Sequence, residues 1–424
     1  MLHLSEQSGL LTDSSENETT NGETRHFTEL NDIHNRHMDL FSDLVMALSI
    51  QILAHEVVEN QFKDAKLWLT FWLRIFLLHS IWASGILITN ISNIHLGYAF
   101  QVTRHIWSLA ILTLMAAFIK ACERDDTHTG VFVYLVARGL AAGAVLLHAF
   151  FWMDPEQQER INTSFCCVPV LLILDCGPLL WVVIHLKEEQ EMVLWAGFTT
   201  VILGIVTRIA LANNLNIFIH LVDDNHSSHQ LSHMKERHQF IIIVLLAGVF
   251  LAATTSAQDY LGTISSVAAI FTSIGGFVLY VTAYAKGSVD AWSLTPRTLC
   301  LSQQLHLVLF GTISSMAIAF SQIIRVDEDV LYYRETNAFA YRHPQTLLSM
   351  AVAVFLVTIA ELMDLSADPI AMTTRFSKQW RVKFIMLMGV IVAVLLHYCD
   401  NAMLIAAVSI TISALVELFS VQIV

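Results

Sequence analysis

Several ionisable side chains of this sequence interrupt apolar runs, where their chemistry suits the holding or passage of an ion. In the run 39–58, Ser42, Ser49 and Glu56 follow one another at seven-residue steps, and Asp43 adjoins them. Residues seven apart fall on nearly the same face of a helix, so these side chains form one polar stripe. The stripe predicts either the lining of an ion or solute path or hydrogen bonds that fix helix packing.

Three further charges lie deep in later apolar runs: Arg138, Asp175 and Arg208. An ionisable side chain at bilayer depth costs roughly 2.5–3.5 kcal/mol, so each requires a partner or a hydrated cavity. Arg138 and Asp175 are therefore predicted either to form a buried ion pair or to build a site for a substrate or coupling ion. Pro178 closely follows Asp175, and a proline breaks helical hydrogen bonding, so this run is predicted to be kinked or interrupted.

A carboxylate stripe closes a later run, with Glu361, Asp364 and Asp368 at helical spacing. Three like charges on one helix face repel each other unless they are hydrated, protonated or matched by a cation. The basic residues within 375–383 are one predicted counter-charge. A vestibule that attracts cations is the alternative.

Histidines and aspartates concentrate in residues 218–237, and His226, His229 and His233 fall on one helical face. These histidines are candidate zinc ligands at most, because their order matches no known ligand signature. No metal and no cofactor is therefore predicted. The sequence also lacks a catalytic constellation, a phosphate-binding loop and a nucleotide fingerprint, so an enzyme is not predicted.

The elements that must position these residues are membrane-spanning helices. The chain is 55% hydrophobic and 14% charged, against a charged share of about 25% in soluble domains. A span requires about 20 mostly apolar residues, because the hydrocarbon layer is about 30 Å thick. Twelve runs meet this requirement and predict an all-α, polytopic transmembrane helical bundle: 39–58, 67–89, 102–121, 130–152, 166–186, 192–213, 238–257, 262–285, 301–324, 346–365, 380–398 and 401–422.

A polar interruption after the sixth run divides the chain into two halves of six predicted helices. We predict a polar N-terminal tail at 1–36, a first half at 37–217, a His- and Asp-rich loop at 218–237 and a second half at 238–424. A six-plus-six division is typical of transporters built from repeats. The net charge of −13 excludes a nucleic-acid binder, which needs clustered Lys and Arg, so the expected partners are the lipid bilayer and a small solute or ion.

The orientation of the bundle follows from a basic cluster at the start of the eleventh run, formed by Arg375, Lys378, Arg381 and Lys383. Basic residues near span ends favour the cytoplasmic side, and an even number of spans places both termini on the same side. Both termini are therefore predicted to be cytoplasmic. No retention signal is present, which favours the plasma membrane over an internal one.

The first apolar run carries a motif as well as a stripe. The segment from Arg36 through Phe41 and Asp43 to His55 resembles R-x-x-E-L-F-F-D-L-V-F-V followed by A-x-x-Q-L-A-H. That is the amino-terminal signature of the low temperature requirement A (LtrA) membrane proteins. Asp39 stands here for the signature glutamate.

Three later segments match the same family in order. Residues 233–243, which contain Glu236 and Arg237, are similar to H-x-x-E-R-x-G-L-F-x-I-I, and His306 lies in a run like the family's H-L-P-L. Tyr134 and Arg138 match its Y-x-x-x-R. The carboxylate that ends the family's seventh-span L-G-E is absent from this sequence, as is the acidic stretch after the second span. The resemblance implies a divergent member with a multi-pass fold, and it implies little about activity.

A transporter or permease for a small solute or ion is the leading functional hypothesis from these features. A cation channel is an alternative, since Phe41-Ser42-Asp43 is similar to the first-helix F-S-D of lysosomal potassium channels with two six-helix repeats. The second half has no copy of that motif, which argues against a pore built from paired copies. A third alternative is a non-transporting membrane protein with a structural or low-temperature role.

Overall fold

Twelve helices and no strand make up the part of the chain that the structure, a computed structural model, describes. The all-α prediction is therefore confirmed for these residues. The described residues are 37–58, 65–92, 98–151, 176–185, 190–211, 224–256, 264–285, 296–333, 338–365, 378–395 and 402–421.

The helices are labelled in chain order, and one of them continues into a short π-helix at Val281–Ala285. They are α1 His37–Val58, α2 Ala65–Ser92, α3 Tyr98–Glu123, α4 Thr127–Phe151, α5 Gly177–His185, α6 Gln190–Leu211, α7 Asp224–Ser256, α8 Ile264–Tyr280, α9 Pro296–Tyr333, α10 Ala338–Leu365, α11 Lys378–Leu395 and α12 Ala402–Val421.

Seven of these helices are long and apolar enough to cross a bilayer, so the chain is a multi-pass membrane protein. The spanning segments belong to α1, α2, α3, α8, α9, α10 and α12. Large apolar side chains such as Ile106, Phe271 and Phe419 are more than half exposed on the outside of the bundle, as lipid contact requires. The buried core fills the space between helices with Phe, Ile, Leu and Met.

The helices pack as two groups that meet along one seam. In the first group α2, α3 and α4 pack on one another, and in the second α9 packs on α7 and α10, while α8 packs on α12. Helix α1 belongs to the first group, because it is hydrogen-bonded to α2 and to α3, and α6 packs on α2. Helix α11 belongs to the second group, where it packs on α10. The groups meet where α9 contacts α2 and α6. Helices α1 and α7 also meet, and they run parallel, because Asp43 pairs with Arg237 and Gln51 donates to the Val244 carbonyl.

Glycine allows a close approach of helices at this seam. A Cβ atom built on Gly311 of α9 would collide with the ring of Trp72 of α2, and one built on Gly248 of α7 would collide with the side chain of Gln51. Both glycines lie inside helices, so close packing rather than an unusual backbone conformation explains the need for a residue without a side chain.

Helix α7 begins earlier than the sequence indicates. The sequence assigns residues 218–237 to a polar loop, but the structure continues the helix back to Asp224. Residues 224–237 contain neither Gly nor Pro, so nothing in their composition stops the helix from continuing beyond its apolar part. The extension matters for the site because it contains Arg237.

One residue of the basic cluster at the start of the eleventh run is packed inside the bundle. Arg381 is buried in α11, where its Nη1 donates to Glu417 Oε2 of α12 at 2.8 Å. Glu417 is fully buried. The pair therefore joins the last two helices inside the second half.

Candidate ion-pair and histidine site

Asp43 and Arg237 form a buried ion pair across the seam between the two groups of helices. Arg237 Nη2 donates to Asp43 Oδ1 at 2.8 Å, and Nε donates to the same oxygen at 2.9 Å. The exposed fractions of the two side chains are 4% for Arg237 and 2% for Asp43. A guanidinium that offers two donors to one carboxylate fixes the orientation of both groups.

Asp39 and Arg104 extend this pair into a four-charge group. Asp39 lies one helical turn before Asp43 on α1, and its Oδ2 accepts a hydrogen bond from Arg104 Nη2 of α3 at 3.0 Å. Arg237 Nη1 reaches Asp39 Oδ1 at 3.4 Å. We call Asp39, Asp43, Arg104 and Arg237 the ion-pair cluster. Its two carboxylates and two guanidiniums balance in formal charge.

Trp82 of α2 completes the surroundings of this cluster. Its indole Nε1 donates to Asp43 Oδ1 at 3.0 Å, and the guanidinium carbon of Arg237 lies 5.4 Å from the centre of its ring. At such a distance the guanidinium and the indole ring attract each other by a cation–π interaction. Four helices from both groups thus contribute to one polar centre.

The ion-pair cluster lies close to one end of the membrane spans. Asp43 is six residues into the span His37–Val58, about 9 Å along the helix axis, and Arg104 is the first residue of its span. The desolvation of such charges costs several kcal/mol each, and ion pairing often fails to recover all of it. The cluster is therefore poorly explained as a device for stability alone.

A row of three buried histidines lies beside the cluster. His79 of α2, His238 of α7 and His306 of α9 are each at most 4% exposed. Ring centres are 6.5 Å apart for His79 and His238, and 4.7 Å apart for His238 and His306. The ring of Trp82 lies 5.2 Å from that of His238, so this histidine row and the ion-pair cluster are in contact through Trp82.

The hydrogen bonds of His306 assign its tautomer. Its Nδ1 lies 2.7 Å from the Ser302 carbonyl oxygen, which can only accept, so Nδ1 carries a proton. In the neutral ring Nε2 is then an acceptor, and the Tyr280 hydroxyl lies 3.4 Å from it. Tyr280 is the last residue of α8 before the π-helical turn, a local irregularity that is frequent at functional sites.

A second group of charges lies at the opposite end of α1. Arg74 Nη1 donates to Glu56 Oε1 at 2.9 Å, and Nη2 donates to Asp125 Oδ1 at 2.7 Å. Asp125 has a φ of 53° and its side chain is 78% exposed. This group, which we call the surface triad, belongs entirely to α1, α2 and the α3–α4 connection.

Next to the surface triad, Asp126 caps the first turn of α4. Its carboxylate accepts hydrogen bonds from the backbone N–H of Thr129 at 3.0 Å and from its hydroxyl at 2.6 Å. These hydrogen bonds to the ionised form lower the pKa of the Asp126 carboxyl below its usual value. The residue is exposed and outside the spans, so its role is local.

Of the other candidates from the apolar runs, the structure describes the side chains of Arg138, Glu361 and Asp364. Arg138 is buried, and its Nη1 donates to Ser84 Oγ at 3.2 Å. Asp175, its predicted partner, lies outside the described residues, as does the side chain of Arg208. Glu361 is half-buried, and Asp364 is exposed.

Of the carboxylate stripe and the candidate zinc ligands, the structure describes the side chains of Glu361 and Asp364. Near Asp364, Lys378 Nζ donates to its backbone carbonyl at 2.7 Å. The side chains of His226, His229 and His233 lie outside the described part of the chain. Among the residues that the structure describes, no group of three or more His, Cys, Asp or Glu side chains could hold a metal ion.

The motif residues quoted from the sequence fall into two sets. Asp43, Arg237 and His306, from three distant segments, are buried within one connected polar centre. Phe41 and Glu236 are exposed. Arg36 lies outside the described residues.

Sequence reasoning missed two parts of the centre: the pairing of Asp39 with Arg104, and the position of Arg237 inside the bundle. One signal was available for both aspartates, because Asp39 and Asp43 are four residues apart and share one helix face. Arg237 gave no such signal, since it borders a long polar stretch.

We compared the chain with protein-family models, with the curated proteins and with the solved structures, and none of the three comparisons finds a match.

Proposed function

We propose that this multi-pass membrane protein is a transporter or permease for a small solute or ion, whose path follows the seam between the two groups of helices. The observation that carries the proposal is the ion-pair cluster. It joins α1 and α3 of the first group to α7 of the second through Arg237. Sites of secondary transporters lie at the interface of two structural repeats.

The chemistry of the cluster suits a gate. Because its charges balance, the closed form buries no net charge. Separation of α1 from α7 would expose Asp43 and Arg237 to water together, and their hydration would offset the loss of the ion pair. A contact that can be either dry and paired or open and hydrated gives the seam two arrangements, which alternating access requires.

Three further proposals accompany transport. We propose twelve spans arranged as six plus six, which the parallel packing of α1 and α7 supports. We also propose membership of the LtrA family, supported by the convergence of Asp43, Arg237 and His306 from separate motifs. Finally, we propose the plasma membrane as the location, with both termini in the cytoplasm.

A non-transporting role is the second candidate, and one observation favours it. Each of the four charges in the ion-pair cluster has an oppositely charged partner within 3.4 Å. Such pairing could serve only to fix the register of α1 against α7. A cation channel is not proposed, because Asp39 and Asp43 both face arginines and offer no ring of free carboxylates to a cation.

Flux through the purified full-length protein in liposomes distinguishes these candidates. Vesicles loaded with a pH-sensitive dye and given a potassium diffusion potential report proton or potassium movement. Light scattering after an osmotic step with urea or glycerol reports the movement of a small solute. We expect flux above that of empty vesicles for at least one probe, and we expect Asp43→Asn to change it by about tenfold, the effect of ~1.4 kcal/mol.

Glu56→Gln is the matched control, since Glu56 is a carboxylate of the same helix but belongs to the surface triad. We expect its flux to equal that of the unmodified protein. If no probe moves faster than in empty vesicles, the transport proposal is wrong and the packing role is favoured. If Asp43→Asn leaves a measured flux unchanged, the path does not follow the ion-pair cluster.

A further inference from the structure

A small polar cavity lies beside the histidine row, between α2, α4, α6 and α9. Its volume is about 20 Å³, which exceeds the ~10–15 Å³ that one water molecule requires. The polar side chains that line it are His79, Ser80, Tyr134, Thr200 and Gln304. The cavity therefore spans the seam, since Gln304 belongs to the second group of helices and the others to the first.

Two of these side chains have buried polar atoms that require a hydrogen-bond partner. Thr200 is 2% exposed and Gln304 is 8% exposed. Thr200 Oγ1 and Gln304 Nε2 have no hydrogen-bond partner among the residues that the structure describes. A buried polar atom without a partner costs about 1–3 kcal/mol, so each atom is expected to bind something within the cavity.

The orientation of Thr200 is unusual for this bundle. Other helical threonines donate the hydroxyl to a carbonyl three or four residues before, as Thr312 does to Leu309 at 3.0 Å and as Thr199 does to Trp195 at 2.9 Å. Thr200 does not make this bond. Its hydroxyl is instead available to the cavity that it lines.

The side chains that line the cavity indicate what kind of molecule it can bind. Among the described residues that line the cavity, no side chain is an acid, a lysine or an arginine. A metal cation would lack the carboxylates that hard cations prefer. Gln304 Nε2 can only donate, whereas Thr200 Oγ1 can donate or accept. A water molecule satisfies both atoms and fits the volume.

We propose that this cavity is a built hydration site, in which Thr200 and Gln304 hold an ordered water molecule that hydrogen-bonds to His79. The water gives the buried histidine row a partner that can donate and accept a proton. It also links α6 to α9 across the seam. The hydration site holds whether or not the protein moves a solute, so its test is separate from the flux measurements.

X-ray radiolytic footprinting of the full-length protein in detergent tests the site. Radiolysis converts a bound water into a hydroxyl radical that oxidises the nearest aromatic side chain, and mass spectrometry locates the product. Tyr134 lines the cavity and is 3% exposed, while Tyr280 is fully buried and does not line it. We expect Tyr134 to be oxidised clearly faster than Tyr280 in spite of its burial.

Two substitutions identify the residues that hold the water. Thr200→Val keeps the side-chain shape but removes the hydroxyl, and Gln304→Leu removes the donor. We expect either change to abolish most of the oxidation of Tyr134. Thr199→Val is the matched control, because Thr199 is the adjacent, exposed threonine, and it should leave the oxidation unchanged.

Equal oxidation of Tyr134 and Tyr280 in the unmodified protein would overturn the proposal without any variant. Oxidation of Tyr134 that persists in both Thr200→Val and Gln304→Leu would also overturn it, since the water would then not depend on these atoms. If Thr199→Val also abolished the oxidation of Tyr134, the oxidation would depend on the general packing of α6 and not on the hydration site.

Discussion

Ion pairs of similar length lie near the two ends of α1, but their surroundings differ. At one end Asp43 and Arg237 are 2.8 Å apart, with side chains 2% and 4% exposed. At the other end Arg74 pairs with Glu56 of α1 at 2.9 Å and with Asp125 at 2.7 Å, where the side chains of Arg74 and Glu56 are 13% and 18% exposed and that of Asp125 is 78% exposed. The first pair crosses the seam, whereas the surface triad stays within the first group of helices.

The comparison shows that burial and position, rather than distance, decide what an ion pair does. An exposed pair is screened by water and contributes about 0–1 kcal/mol. A buried pair brings little net stability, yet removal of one partner leaves an uncompensated charge and costs about 3–5 kcal/mol. Of these two groups of charges, the ion-pair cluster therefore makes its helices depend more strongly on each other.

The largest expected effect is that of Arg237→Met. This change removes the guanidinium that Asp43 and Asp39 both face and leaves their carboxylates short of positive charge. We expect a loss of about 3–5 kcal/mol in the free energy of unfolding, measured as a lower Tm of the detergent-solubilised protein. A decrease no larger than that caused by Arg74→Met would contradict the distinction between the two ends of α1.

Gly311→Ala tests how closely the helices pack at the seam, and it changes no charge. The added methyl group would collide with the Trp72 ring, so α9 or the ring must shift, at a cost of about 1–3 kcal/mol. Thermal unfolding measures this loss. Gly139→Ala is the matched control, because a Cβ there meets nothing within 4 Å, and alanine should stabilise that helix by up to about 1 kcal/mol. Equal effects of the two changes would mean that the seam is loosely packed.

The sequence predicted the class of fold from apolar length alone, and for the described residues the helices confirm it. It did not predict which helix faces meet. The wheel of α1 shows that Asp39 and Asp43 share a face, but a wheel contains no information about whether α3 or α7 supplies the counter-charge. Residues 224–237 are polar, and their polarity predicted a loop that contains Arg237. Their helix propensity, which permits the helix to begin at Asp224, was not taken into account.

The histidine row was hidden for a related reason. His79, His238 and His306 lie on three helices that are far apart in the chain, and each looks like an isolated polar residue in its own run. Their proximity depends on the packing of α2, α7 and α9. Only tertiary structure determines that packing.

A smaller effect is expected from Arg74→Met in the surface triad. The substitution removes the hydrogen bonds to Glu56 and Asp125. Water can solvate the exposed Asp125 in their place, but it reaches the half-buried Glu56 only in part. We expect a loss of about 1–2 kcal/mol, between the effects of an exposed pair and a buried one, and we expect added salt to reduce the part that comes from Asp125. A loss as large as that of Arg237→Met would mean that the surface triad and the ion-pair cluster contribute equally to stability.

The smallest effect is expected at Asp126 and depends on pH. Its pKa is lowered in the folded protein by the hydrogen bonds from Thr129, so its cap stabilises α4 above the ordinary aspartate pKa of about 3.9 and is lost as the pH falls below it. Hydrogen exchange of the first turn of α4, corrected for the intrinsic pH dependence, measures this. Asp126→Asn should lack the acid-dependent loss, and an identical pH profile for both proteins would contradict the assignment.

The most direct test of the central claim compares two buried arginines in the flux assay. Arg237 pairs across the seam, while Arg381 pairs with Glu417 inside the second group, also at 2.8 Å. For protein that remains folded in liposomes, we predict that Arg237→Gln changes flux by about tenfold or more, the effect of ~1.4 kcal/mol at a barrier, while Arg381→Gln leaves it close to that of the unmodified protein. Equal fluxes for the two variants would contradict the claim that the ion-pair cluster at the seam controls passage.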